Sequence, residues 1–284
     1  MSRLLVSTFI RMLKKVIFWF FVLCMFAYGV YTALNIASEA RIGFVLDRCL
    51  FECLPLMGLI SAIFTSLFIG SEYSDGTIRN KIIVGHSRIR IYLANLIVCA
   101  IASVLISLSY TVGVFVIGNM NGGELITETA TIFLCMISSL MISITFASIM
   151  TLLAILNTNK AGNVVVSMIL ALVLLVSGSF IHQKLGEPKL YDNYVTVNEM
   201  GIPTQVEQLP NPQYIEGTPR IVLEVLSDLL PSGQAIQLAD AFDTEGMTDE
   251  SIAKAPYRWM GYSLVVTFLT SVLGIALFRK KEIR

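Results

Sequence analysis

Six apolar stretches, each long enough to cross a bilayer as a helix, divide this 284-residue chain, and the gaps between them alternate between basic and acidic. A hydrocarbon core about 30 Å thick takes roughly 20 helical residues per crossing. The stretches cover residues 16–35, 50–70, 96–117, 131–156, 164–181 and 261–278. Irregular backbone cannot face lipid at that depth, because each unpaired amide is too costly there. The sequence therefore predicts an all-α polytopic membrane protein with six transmembrane helices. With 55% hydrophobic and 14% charged residues, the composition departs from that of soluble domains in the same direction.

Net charge is zero, so orientation must be read from how the charges are distributed. One set of segments holds Arg3, Arg11, Lys14, Lys15, Arg79, Lys81, Arg88, Arg90, Lys160, Arg279, Lys280, Lys281 and Arg284, against only Glu72, Asp75 and Glu282. The opposite set carries seven basic residues and 17 acids. Short cytoplasmic loops concentrate Lys and Arg. The short loops of the acidic set contribute only Arg41 and Arg48, so both termini are expected in the cytoplasm of a cell-membrane protein. The basic start is not expected to be a cleavable leader, because the first apolar stretch is too long and lacks a small-residue cleavage site.

Residues 1–15 pattern as an amphipathic helix. Leu4, Leu5, Thr8, Phe9, Met12 and Leu13 share one face, and Arg3, Ser7, Arg11 and Lys15 share the other. Such a helix lies among cytoplasmic headgroups with its cations on anionic lipid; the alternative is an extension of the first span. Residues 16–181 hold five spans, interrupted by a polar segment, 71–95, that is too rich in Ile and Val for a loose linker. There Ser74 and Asp75 are expected to cap a short transverse helix from Thr77 to Val84, Gly85 to end it, and Ser87 to cap the next helix. A short helix so presented suits docking into a groove of a soluble partner. Residues 182–260 read as an acidic extracellular lid. It starts irregularly through Pro188, Pro203, Pro210, Pro212 and Pro219, then forms one helix with an Ile221, Leu223, Val225 and Leu226 stripe and a second helix near 234–242. That stripe is expected to be buried against the rest of the lid or laid on lipid. Residues 261–284 form the sixth span and a basic tail.

No catalytic constellation is present. His86 and His182 fall in different compartments, and no His-Glu-x-x-His, Gly-x-Ser-x-Gly or Gly-Lys-Ser/Thr signature occurs. Asn121-Gly122-Gly123 reads as a plain turn. The five cysteines match no zinc spacing; Cys49 and Cys53 are either a disulfide near the outer face or small packing residues. The span centres are nearly free of charge, with Glu52 only at an edge, which weakens a reading as an ion-coupled carrier.

The run Gly70-x-Glu72-Tyr73-x-x-Gly76-Thr77-Ile78-Arg79, then Ser87-Arg88, then Tyr92-Leu93-Ala94-Asn95, resembles the type 2 ABC exporter permeases. Phe278-Arg279-Lys280-Lys281-Glu282-Ile283 is similar to that family's C-terminal ending. Two positions depart from its pattern: Gly85-His86 stands where a proline often precedes Ser-Arg, and Asn95 replaces a common lysine. The resemblance implies a transport subunit that carries no cofactor of its own, with ATP and Mg bound by separate cytoplasmic ABC ATPase subunits. It implies an ATPase-coupling segment built from Glu72, Tyr73, Asp75, Gly76, Thr77, Ile78, Arg79, Lys81 and Arg88. It also implies a second permease chain, the same or homologous. The conduit is then expected along the second and fifth spans, with Ser61, Phe64, Thr65 and Phe68 facing Ser167, Met168, Leu170, Ala171 and Leu174. Nucleic acid is not an expected partner. Related permeases export peptides or confer resistance to bacitracin and lantibiotics, so an amphipathic, peptide-like substrate is expected. Sodium extrusion, a stand-alone carrier and a membrane sensor are the alternatives.

Overall fold

The computed structural model describes residues 2–39, 45–190, 195–197, 203–205, 210–242 and 250–281. Ten helices are described: α1 (Ser2–Leu13), α2 (Val16–Glu39), α3 (Leu54–Ser74), α4 (Thr77–Ile83), α5 (Arg88–Met120), α6 (Thr129–Leu156), α7 (Lys160–Gly186), α8 (Thr218–Leu229), α9 (Pro231–Asp240) and α10 (Glu250–Lys280). Six of them, α2, α3, α5, α6, α7 and α10, are long and apolar enough to cross a membrane. Most extend past the apolar stretches that announce them: α5 begins eight residues before its stretch, and α10 eleven residues before. The apolar run marks the part in hydrocarbon, whereas the helix continues wherever its backbone can still pair with itself. An antiparallel pair of three-residue strands, Val195–Val197 with Pro203–Gln205, interrupts the proline-rich stretch expected to be irregular.

Helices α3, α5 and α6 form the centre, with α2 packed on α5, α10 on α6, and α7 on α3. Lipid gives helices no hydrophobic reason to associate, so close backbone approach and interhelical hydrogen bonds take over. Both are visible. A Cβ on Gly29 of α2 would strike the Tyr110 carbonyl of α5, and one on Gly113 of α5 would strike the Phe26 carbonyl of α2. Tyr110 then bonds Thr32 at 3.1 Å and donates to the Cys49 carbonyl at 2.6 Å. Between α6 and α10, Thr145 meets Thr267 at 3.0 Å and Ser148 meets Thr270 at 2.6 Å. Cys49 and Cys53 are free and buried, which settles them as packing residues.

Both described chain ends lie at one face, since α1 and the end of α10 both reach the α3–α5 connection. At the opposite face, Asp47 accepts from the Ile126 and Thr127 amides at 3.2 and 2.7 Å, tying the two short loops together. The segment between the last two spans is built into the bundle there. Helix α9 packs against α3, α6 and α7, with Gly233, Gln234, Ala235 and Leu238 buried. Helices α8 and α9 make a hairpin whose turn rests on Gly178 of α7, and Ser263 of α10 donates to Gln234 at 2.7 Å.

Candidate functional site: the segment between the second and third spans

Two left-handed glycines bracket α4. Gly76, at φ 65, is its N-cap, and Gly85, at φ 94, stands just past its end. The expectation that Ser74 and Asp75 cap α4 is corrected here. Both finish α3, the Asp75 amide bonding the Ser71 carbonyl at 2.9 Å, because a turn this tight needs positive φ, which only glycine adopts freely. At the far end, the His86 amide bonds the Lys81 carbonyl at 3.1 Å and the Gly85 amide bonds the Ile82 carbonyl at 2.9 Å. That crossed pair is the Schellman closure of a helix. Ser87 then caps α5, accepting from the Arg90 amide at 3.4 Å.

Glu72, expected on the partner-facing surface, is fully buried. Lys81 of α4 donates to its two oxygens at 2.8 and 3.1 Å, Asn95 of α5 donates at 3.0 Å, and Arg11 of α1 forms an ion pair with it. Lys81 also reaches Thr8 at 3.3 Å. One carboxylate thus fastens four helices. Burial, with the Arg11 guanidinium beside it, holds the Lys81 ammonium below its ordinary range. Burial likewise lowers Arg11. Two cations on one carboxylate leave the cluster with surplus positive charge, so its integrity depends on Glu72 being ionised.

Helix α1 therefore lies against protein along Leu4, Thr8 and Met12, packing on α5, and it exposes Arg3, Val6, Ser7 and Ile10. Arg11, expected among the lipid-facing cations, instead turns inward, over the Phe68 ring at 5.5 Å.

Four other expected coupling residues also face the bundle. Tyr73 donates to the Ile155 carbonyl at 2.5 Å and accepts from Lys281 at 3.1 Å. Ile78 is buried, and Thr77 is half-buried. Arg88 donates to the carbonyls of Phe278 and Arg279 at 3.2 Å and to that of Lys281, filling acceptors that α10 leaves unpaired at its C-terminus. Asp75 and Arg79 are exposed, and Gly76 is partly so. The outward face that remains is Arg79, Asn80, Ile83 and Val84, continued by Ile89 and Arg90. Ile83 and Val84 are 73% and 76% exposed. Helical spacing carries this signal, since Ile78, Lys81 and Ile82 (i, i+3, i+4) turn inward while 79, 80, 83 and 84 turn outward.

The expected conduit residues do not meet as a pair of facing rows. Ser61 bonds Ser103 of α5 at 3.1 Å. Phe64 stacks on Phe68 at 5.8 Å and meets Phe18 of α2 edge-on at 6.2 Å. Thr65 is buried beside the Cys99 thiol. The α3 face toward α7 is instead Leu59, Ala62 and Ser66. Ala62 packs with Ala171, Leu170 and Leu174, and the Ser66 carbonyl accepts from Asn163 at 3.4 Å. Ser167 is buried and Met168 half-buried on α7. Positions 61, 64, 65 and 68 form one helical stripe, and 59, 62 and 66 form another; the smaller pair at 62 and 66 is the one that admits a neighbouring helix.

The family model described as ABC-2 family transporter protein matches residues 7–178, more than half of the chain. The chain belongs to the ABC-2 transporter family. It is a multi-pass membrane permease subunit, and membership implies, in general, partnership with ABC ATPase subunits. The matched region takes in the Glu72 cluster and all of α4, and it stops at Gly178, where the hairpin turn rests. No curated protein matches the chain.

Proposed function

We propose that this permease subunit exports an amphipathic, peptide-like substrate across the cell membrane, driven by separate cytoplasmic ATPase subunits that dock on α4. The observation that carries this reading is the exposed end of α4. A soluble-side helix that leaves Ile83 and Val84 uncovered between Arg79 and Arg90 has the apolar centre and basic rim of a protein contact. Its inner face is held by the Glu72 cluster, so a push on the outer face reaches the spans rather than being absorbed by a loose loop. With α4 on the cytoplasmic side, the basic segments and both termini lie there too, as the positive-inside rule requires. A second permease chain, the same or homologous, completes the pathway, because one chain buries Ser61, Phe64, Thr65 and Phe68 within itself. The substrate class rests on the resemblance to peptide-export permeases.

Purification from the native membrane in mild detergent tests the coupling. The unaltered chain is expected to bring an ATP-binding subunit with it, and the double change Ile83→Asp with Val84→Asp to lose that subunit while still inserting. Retention of the ATPase by the double variant would remove α4 as the docking element. Uptake of a labelled cationic peptide into inside-out vesicles, dependent on ATP, tests direction and substrate; uptake that needs an ion gradient instead would mark a secondary carrier.

A further inference from the structure

Three cavities open side by side at the end of the bundle away from the chain ends, and neighbours among them share walls. The first, about 280 Å³, lies between Glu52, His182 and Asp240. The second, about 300 Å³, takes His182 and Asp240 as its near wall and adds Gln237, Arg258 and Trp259. The third, about 380 Å³, lies beyond Gln237 and Arg258, against Glu224 and Asp228. In series they make a groove along the last turns of α9, divided by the side chains held in common. His182 follows directly on the fifth apolar stretch, and Trp259 stands two residues before the sixth, so the groove lies at the membrane surface.

Its charge is one-sided. Four carboxylates, Glu52, Glu224, Asp228 and Asp240, face a single guanidinium. Arg258 is committed to Asp228 at 2.8 Å. Asp240 meets the His182 ring at 3.1 Å, yet its side chain stays 57% exposed and open to a further donor. Carboxylates only accept, so the groove calls for a cation that donates hydrogen bonds. The middle cavity makes the opposite demand. Trp259 is 3% exposed, and its indole N–H lies near Asp228 without meeting it or any other acceptor at hydrogen-bonding geometry. A buried donor left unpaired is unfavourable, and a carbonyl oxygen would complete it. A metal ion would not satisfy an N–H, and among the described residues no three His, Cys, Asp or Glu come together to hold one.

Cations and carbonyl oxygens on one molecule describe a basic peptide. An amphipathic one lies at this depth, its apolar face in lipid and its cations out. We propose that the groove binds a lysine- or arginine-bearing segment of an amphipathic peptide, its cation between Glu52 and Asp240 and a backbone carbonyl on the Trp259 N–H. The inference rests on the peptide-like substrate proposed above and says where that substrate is held, whichever way it moves.

The test is equilibrium binding to the full chain in phosphatidylcholine nanodiscs, whose lipid has no net charge, without ATPase or nucleotide. The probe is a fluorescein-labelled lysine–leucine peptide followed by anisotropy, and its control has glutamine for each lysine. The lysine peptide is expected to bind at least about tenfold tighter than the control, and salt to weaken it. Asp240→Asn should cost about tenfold and Trp259→Phe about threefold. Glu128→Gln, an exposed acid on the same face but outside the groove, should cost nothing. Equal affinity for the two peptides, or equal loss from Glu128→Gln and Asp240→Asn, would overturn the proposal. The unaltered chain guards against variants that misfold. A photoreactive group at the end of the lysine peptide is expected to crosslink residues 236–241 or 255–259, and crosslinks confined elsewhere refute the groove. A peptide that binds here but is not moved with ATP would sink the export reading and leave the groove standing. One that is moved without binding here would sink the groove alone.

Discussion

The ammonium of Lys81 sits 2.8 Å from one oxygen of Glu72 and 3.1 Å from the other, so α4 is clipped to the end of α3 by a carboxylate with no access to solvent. Removing one partner of a buried pair leaves the other uncompensated, at a cost of about 3–5 kcal/mol. Here it would leave two cations, Arg11 and Lys81, face to face. Glu72→Gln is expected to lower the melting temperature in detergent sharply, and adding Lys81→Met to recover part of the loss. Equal melting of Glu72→Gln and the parent would remove Glu72 as the anchor.

The glycines flanking α4 carry no packing, since nothing lies within 4 Å of a Cβ at either position. Gly76→Ala and Gly85→Ala therefore isolate backbone strain, about 1–2 kcal/mol for a left-handed residue. Asparagine visits that region more readily, so Gly76→Asn should be the milder change. Limited proteolysis in the connection reads it: cleavage ordered parent, then Asn, then Ala is the expected result. No difference among the three would mean that the turn rearranges freely.

Where α2 crosses α5, the two backbones touch at Gly29 and Gly113. One added methyl at either place has no room, and overpacking of that kind costs about 1–3 kcal/mol. Gly113→Ala should weaken resistance to unfolding by dodecyl sulfate, whereas Gly261→Ala, which opens onto free space, should not. Similar curves for the two variants would show that α2 simply moves aside.

Lys281 donates to the Ile155 carbonyl at 2.8 Å, and burial pulls its ammonium down to about 8. An unfolded lysine titrates near 10.4, so between about pH 8 and pH 10.4 the unfolded chain binds more of this proton than the folded one. Stability from this residue therefore rises with pH across that window and is flat below it. Lys281→Met should lack the rise. Melting temperatures of both proteins at about pH 7.5 and pH 10 decide it, because parallel changes would show that the shift has another source.

The six spans, the Gly85 stop and the Ser87 cap were legible because each is dictated locally, by apolar length or by one residue's backbone preference. The burial of Glu72 was not. The sequence shows a carboxylate near two cations nine and 61 residues away, and only the folding back of α1 places Arg11 beside it. Helix α8 was legible as amphipathic, but Leu223 of the expected stripe is half-buried while Ile221, Val225 and Leu226 are exposed, and spacing reports a stripe without reporting the medium beyond it. On α3 two buried stripes compete: 61, 64 and 68 pack toward α2, α5 and one another, the smaller side chains at 62 and 66 meet α7, and spacing alone does not choose between them.

Arg88 opens α5 and closes α10, its one guanidinium taking up the last carbonyls of a helix nearly two hundred residues later. The third and sixth spans therefore share a foot. Neither can tilt or slide at that face without dragging the other, and there is no slack at this joint for half the bundle to rock alone. Motion that parts the two spans at that face has to break the arginine's grip, or else it moves both spans as one piece.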